Sequence, residues 1–177
     1  MLFMFLAWLD VILIIVLLLV LGSFVYGGLR GAPWAPTRRT DLDRFLGLAN
    51  IKPGEKMYDL GCGDGRAVFA AAQAGAKAHG FEVALFPYVL AKIKKLGTAG
   101  KKNIRFSYKD FWHADLSDAN IVYFFLMPGI YPKLKAKLEK ECAKGTRIIA
   151  YVWPMPGWSA EKVDAKEGFA KLYLYRL

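Results

Sequence analysis

The hydrophobic pattern divides the chain into a long apolar run and an alternation of short blocks behind it. Met1 to Leu9 and Val11 to Leu29 carry no charge, and Asp10 alone interrupts them. About twenty apolar residues rising 1.5 Å each cross a bilayer core. A cleaved signal peptide would want a basic start, a shorter core and a small-x-small site; no Lys or Arg precedes this run, and it is too long. A helix buried in a soluble core would have to be covered on every side. The run therefore predicts one transmembrane anchor over residues 1–29.

Gly27, Gly28, Gly31, Pro33 and Pro36 forbid a continuous helix from Gly27 to Pro36. A linker is placed over 30–40, with Trp34 at the membrane interface or against the domain. Thr40 then reads as an N-cap, with Asp41 and Asp43 in the first turn. Leu42, Phe45, Leu46 and Ala49 recur at helical spacing. Beyond Pro53-Gly54 the blocks alternate. Strands are predicted at Lys56–Leu60, Lys77–Glu82, Ile104–Asp110, Asn120–Leu126 and Thr146–Trp153. A last strand at Lys171–Arg176 pairs with a short one near Val163. Helices fall at Arg66–Ala74, closed by Gly75, at Ala84–Leu96, closed by Gly97, and at Ile130–Ala143. In the last of these Lys133, Lys137, Lys140 and Lys144 form a face read as solvated. Alternation with short connections predicts an α/β domain over 41–177, built on a parallel, doubly wound sheet.

Composition sharpens this. Among 177 residues 55% are hydrophobic, and the mean hydropathy is +0.25, too apolar for an ordinary soluble domain. The net charge is +10, and every Lys and Arg lies after the apolar run. Arg30, Arg38 and Arg39 stand just past it. The positive-inside rule puts the C-terminal domain in the cytoplasm and the N-terminus outside, as a single-pass membrane protein. The basic excess suits anionic headgroups; no nucleic-acid motif is present, and no nucleic-acid partner is expected. Cys62 and Cys142 make no disulfide framework, and His79 and His113 are isolated, so no metal is expected.

The chemistry concentrates where strands end, as ligands do in doubly wound sheets. The first strand runs into Tyr58-Asp59-Leu60-Gly61-Cys62-Gly63-Asp64-Gly65-Arg66. Glycines at alternate positions let the backbone approach a ligand at a helix N-terminus. A dinucleotide fingerprint would want its third glycine at Arg66. It falls at Gly65 instead, and the spacing D-x-G-x-G-x-G looks like motif I of the class I methyltransferases, which bind S-adenosyl-L-methionine. Glu82 ends the second strand, a little over twenty residues after Asp59, where an acid can bridge a ribose diol. Asp110-Phe111 ends the third, and Met127-Pro128 follows the fourth. In such a site Asp59 holds the ammonium, the backbone of Gly61, Cys62, Gly63 and Gly65 lies along the methionine moiety, Glu82 accepts both ribose hydroxyls, Asp110 accepts from the adenine amino group, and Phe111 lies near the ring.

From about Pro36 to Trp158 the chain is similar to the small membrane-anchored lysine methyltransferases whose mitochondrial members modify the ATP synthase c-subunit and the adenine nucleotide translocase. The apolar segment, Pro36-Thr37, the glycine turn, Gly80-Phe81-Glu82, Asp110-Phe111-Trp112, Asp115-Leu116-Ser117, Pro128 and Trp153-Pro154-Met155-Pro156-Gly157-Trp158 carry the resemblance. It implies a Rossmann-like class I methyltransferase fold behind one N-terminal transmembrane helix. It also implies that Thr37 lines the cofactor site and that the region after the fourth strand faces the substrate lysine. The lack of an Arg-rich presequence points to a prokaryotic member, so the mitochondrial substrates do not transfer.

The expected function is membrane-tethered protein-lysine N-methylation of a membrane or membrane-proximal protein, the enzyme itself included, beside the lipid bilayer. Met127, Pro128, Trp112, Trp153 and Trp158 are the expected substrate-facing residues, able to exclude water and offer π-faces to a cation. Phe125 reads more simply as core, and no single catalytic base is assigned. Methylation of a lipid headgroup or hydrophobic small molecule is the alternative, and a non-catalytic membrane module is the alternative of another class.

Overall fold

A computed structural model describes residues 2–31 and 34–177, with side chains from Ala7 onward except at Arg30. Pro33 of the expected linker, and the side chain of Arg30 in the expected basic flank, lie outside the described residues. The first helix, α1, runs from Leu2 to Arg30. Within it Ala7–Leu29 is apolar and long enough to cross a membrane, with a mean hydropathy of 2.8 and none of its most apolar stretch buried.

Gly27 and Gly28 do not break α1 as expected. Glycine costs a helix only about 1 kcal/mol relative to alanine, and close contact offsets this. A Cβ at Gly27 would lie 3.6 Å from that of Ala84, so the helix end rests against the domain. The chain leaves α1 through Gly31, whose carbonyl accepts from Met127 N at 2.9 Å.

Helix α2 spans Arg39–Ala49 with Arg38 at the cap position, so Thr40 lies inside the helix rather than capping it. Asp41 lies in the first turn, as expected. Its fully buried carboxylate accepts from Arg44 Nη1 at 2.8 Å and from the Tyr151 hydroxyl at 2.6 Å. Arg44 also reaches Asp164 and the carbonyl of Ala170, so α2 is tied to the end of the chain.

The strands are β1 (Lys56–Leu60), β2 (Lys77–Glu82), β3 (Ile104–Tyr108), β4 (Ile121–Phe124), β5 (Arg147–Tyr151), β6 (Lys162–Asp164) and β7 (Leu172–Arg176). They form one sheet in the order β3-β2-β1-β4-β5-β7-β6. The first five are parallel, as expected, but β7 is antiparallel to both β5 and β6. The sheet is therefore mixed. β6 and β7 are joined by a short connection with no helix, which returns antiparallel, and β7 then lies between β5 and β6. The expected pairing of the last strand with Val163 is present, Val163 opposite Tyr173.

Helices α3 (Arg66–Gln73), α4 (Leu85–Leu96) and α5 (Tyr131–Glu141) lie between the strands. Alternate strand residues feed two cores. Met57, Tyr123 and Ile149 pack with α2 and α3 on one face. Phe81, Val122, Phe124 and Ile148 pack with α5 on the other. Lys137 departs from the solvated face expected of α5. Its Nζ is largely buried and donates to the Ala114 carbonyl at 2.7 Å and to Glu141 at 2.6 Å. It thereby holds the 3-10 turn Phe111–His113 in place.

Asp41→Ala is expected to cost about 2–3 kcal/mol, since it leaves a buried guanidinium and a buried hydroxyl short of an acceptor. Denaturant unfolding checks this; a loss under about 0.5 kcal/mol would show that Asp164 alone suffices for Arg44.

Candidate active site

The strand order reverses between β1 and β4, and a cleft opens there at the C-terminal ends of the strands, as the fold rule requires. It holds about 800 Å³, including the part open to solvent, within the range for small-molecule sites. Asp59, Gly61, Cys62, Gly63, Glu82, Asp110, Phe111 and Thr37 all line it. Gly65 alone of the expected cofactor residues does not. It sits one step behind, as the N-cap of α3.

The turn is built by backbone geometry. Gly61, Gly63 and Gly65 all have positive φ. At Gly65 a Cβ would come within 2.5 Å of the Phe106 ring, and at Gly63 within 2.7 Å of Trp34 Nε1, so neither position accepts a side chain. The amides of Gly61 and Cys62 both donate to the Phe81 carbonyl, which pins the turn to the end of β2. No side chain caps α3, leaving its first N–H groups and the positive end of its dipole directed at the cleft.

Glu82 braces the same turn. Its Oε2 accepts from Gly63 N at 2.7 Å, and its Oε1 from Val83 N at 2.8 Å and Ala84 N at 2.7 Å. A carboxylate has about four acceptor sites, so three are taken by backbone. Burial still holds its pKa above the usual value despite those bonds.

Asp59 differs in kind. It is 3% exposed, and its pKa is pushed well above the ordinary value, first by burial and then by Glu82 and Asp64. No hydrogen bond offsets these effects. Asp64, equally buried, is instead bound by Lys94 Nζ at 2.6 Å and Arg66 Nε at 3.1 Å. Among the described residues Asp59 thus has no cationic partner, and it lines a cleft as a buried carboxylate. Burial also raises the Cys62 thiol well above its usual value, so it is an inert lining group.

Asp110 caps the turn after β3, its Oδ1 accepting from Trp112 N at 3.1 Å. Thr37 Oγ1 lies 3.0 Å from the Tyr123 hydroxyl, and its carbonyl accepts from Arg66 Nη1 at 3.1 Å. Tyr123 lines the cleft from β4, directly beside Asp59 in the sheet register. Sequence reasoning missed it; the signal was one hydroxyl within an otherwise apolar strand. It also missed Phe24, Gly27, Gly31 and Trp34, which carry the end of α1 and the segment after it into the cleft wall.

None of the expected substrate-facing residues lines the cleft itself. Trp153 stacks at 5.9 Å on Phe125, which does line it. Phe125 is therefore more than core. Trp112 packs on Phe111 at 4.8 Å, with Lys133 Nζ 4.4 Å from its ring centre. Met127 is exposed and Pro128 begins a 3-10 turn, just beyond the cleft's rim at Leu126. Trp158 lies elsewhere, donating to Glu139 at 2.9 Å and packing on Tyr175. Among the described residues no cluster suits a metal ion.

Comparison with known proteins bears on the same region. Residues 59–162 match the family model described as the ANTKMT methyltransferase domain. A protein-lysine N-methyltransferase of Saccharolobus islandicus is 36% identical over 135 residues, covering 74% of this chain and 83% of that protein. The mouse adenine nucleotide translocase lysine N-methyltransferase is 32% identical over 144 residues, and the match spans 81% of this chain but only 62% of the mouse protein. A Salinibacter ruber crystal structure, described as an RNA methyltransferase in complex with S-adenosyl-L-homocysteine, superposes with a TM-score of 0.77 at 29% identity, over 80% of this chain and 93% of that one.

The Asp59 environment has a pH signature. A carboxyl with a raised folded pKa keeps a proton that the unfolded chain releases, so stability falls as pH rises above the ordinary carboxylate range near 4. Asp59→Asn removes that cost. Thermal unfolding of the ligand-free protein should find the variant about 1–2 kcal/mol more stable at pH 8, with the gap closing toward pH 4. A variant less stable at every pH would contradict this.

Proposed function

The chain belongs to the ANTKMT methyltransferase domain family, and we propose that it is an S-adenosyl-L-methionine-dependent protein-lysine N-methyltransferase held at a membrane by α1. One observation carries the cofactor assignment: the buried carboxylate of Asp59, without a cationic partner among the described residues, beside a glycine turn that opens on a helix start. A group with a positive amine on one end and a nucleoside on the other fits that arrangement. When bound, S-adenosyl-L-methionine supplies an electrophilic methyl on a sulfonium.

Asp59 takes the ammonium, and the Gly61–Gly65 backbone lies along the methionine chain. Glu82 has roughly one acceptor site left, so it holds one ribose hydroxyl firmly, and a second only by sharing. Asp110 and Phe111 receive the adenine, and Thr37 with Tyr123 closes the side next to Asp59. The acceptor must be a neutral amine, yet a free lysine has a pKa of about 10.4, so at pH 7 only about 1 in 2,500 is neutral. Desolvation among Phe125, Tyr151 and Trp153 favours the neutral form, and alignment supplies much of the rate. No single base is assigned.

The membrane reading rests on the length and hydropathy of Ala7–Leu29. A signal sequence would meet the same test, but the end of this helix is part of the cleft wall, which favours its retention. Arg38, Arg39 and the basic domain behind them favour a cytoplasmic site. Substrates embedded in or close to the membrane follow from the tether, which raises their effective concentration.

Calorimetric titration of the detergent-solubilised protein with S-adenosyl-L-methionine should show saturable heat. Asp59→Ala should weaken binding by about a hundredfold, in keeping with loss of a buried charge pair. An undiminished heat would remove Asp59 from the site. Methyl-labelled cofactor added to membranes should then yield methyl-lysine in protein; label confined to lipid or to RNA would refute the lysine acceptor.

A further inference from the structure

Helix α4 shows the wrong face to solvent for a water-soluble domain. Pro87 and Ala91 are its buried positions. On the opposite side Leu85, Phe86, Val89, Ile93 and Leu96 are 37% to 74% exposed. At 100° per residue these five fall within an arc of about 100°. They form a continuous apolar stripe directed away from the sheet. From Leu85 to Asn103 the chain carries five lysines (Lys92, Lys94, Lys95, Lys101 and Lys102) and no acid. Among the described residues only Lys94 is engaged in an ion pair, with the carboxylate of Asp64. Burial first, and then the neighbouring charges of Lys92 and Lys101, lower the pKa of Lys95.

The stripe is continuous with α1. Phe86 packs against Phe24 at 6.0 Å, and both rings meet Trp34. Phe24 lies about 25 Å along the helix from Ala7, in the last turns of a hydrocarbon core about 30 Å thick. The first turn of α4 therefore sits at the depth where acyl chains give way to headgroups.

We infer that α4 is an interfacial helix: its Leu85–Leu96 stripe lies in the cytoplasmic face of an anionic bilayer, with the lysines at headgroup level. An apolar face flanked by lysines, with its apolar side sunk about 5–10 Å, is how such helices bind, and each well-placed lysine adds attraction to anionic lipid. The placement rests on the reading of α1 as a membrane span, and it narrows the substrate. With α1 crossing the bilayer and α4 in its surface, the cleft between Phe24, Trp34 and Ala84 opens at the headgroups. The acceptor is then a lysine within a few ångströms of the membrane plane, on a membrane protein, rather than one on a domain projecting into water.

Site-directed spin labelling of the full chain in phosphatidylcholine vesicles containing one-third phosphatidylglycerol tests this. Cys142→Ser removes the half-buried thiol, and Cys62 is buried. Labels at Ile93→Cys and Leu96→Cys should be relaxed by oxygen several-fold more than by a water-soluble nickel chelate. A label at Lys102→Cys should show the reverse, and one at Leu17→Cys should report the hydrocarbon core. Nickel access at Ile93 equal to that at Lys102, with Leu17 still in hydrocarbon, would put α4 in water and overturn the inference alone. Shielding of Ile93 from both agents would mean that protein covers the stripe, and would overturn it too. Nickel access at Leu17 would overturn the span itself and the placement with it.

Discussion

Negative charge buried at the end of β1 is the constraint on which the rest of the site depends. Asp59, Asp64 and Glu82 are all largely withdrawn from water around one glycine turn, and they differ in how they are compensated. Asp64 is bound by Lys94 and Arg66, which ties the turn to α4 and α3. Glu82 is bound by three backbone amides, which fixes the turn to β2. Among the described residues Asp59 has like charges and desolvation around it and no cation to offset them. Two carboxylates thus make the cradle rigid, and the third is left costly to ionise until a cation arrives. Such a site holds part of its binding energy in advance, because the ligand relieves a penalty already present in the fold.

The same turn explains the role of α1. Gly63 has no side chain, and the Trp34 indole occupies the space a Cβ would need. Trp34 in turn stands on Phe24 and Phe86. Gly31 fits among Leu126, Ile130 and Phe111, and its carbonyl is held by Met127. A chain of small-residue contacts therefore runs from the apolar helix to the glycine turn. The helix is continuous with the wall of the cleft, and the position of the cleft relative to any membrane is set by that contact.

Much of this was legible in the sequence because the strands are apolar runs closed by chemistry-bearing residues. The bounds of β1 and β2 fall where the pattern put them, and Asp59, Glu82 and Asp110 reach one cleft as strand ends must. Elsewhere tertiary contacts decided the outcome. Gly27 and Gly28 look like breakers, yet Gly27 is a contact surface inside a helix. Thr40 looks like a cap, but Asp41 was drawn inward by Arg44 and Tyr151. Lys137 belongs to a basic face by period, while two carbonyls and Glu141 hold it inside. Tyr123 offered only a lone hydroxyl in an apolar strand, and Trp34 and the outward stripe of α4 likewise acquire their meaning from what stands opposite them. The tryptophans near the ends of β3 and β5 were expected to face the substrate; Trp112 reaches the cleft wall through Phe111 and Trp153 through Phe125, while Trp158 packs elsewhere.

The central claim is that the glycine turn, Asp59 and Glu82 form a cofactor cradle roofed by the end of α1. A structure of the full chain in lipid nanodiscs with S-adenosyl-L-homocysteine tests it most directly. The account predicts ligand density along Gly61–Gly65, with its amine within hydrogen-bond distance of Asp59, a ribose hydroxyl on Glu82, and Trp34 and Phe24 still over the site. Ligand bound elsewhere, or bound in the cleft with Asp59 still lacking a cation, would contradict it.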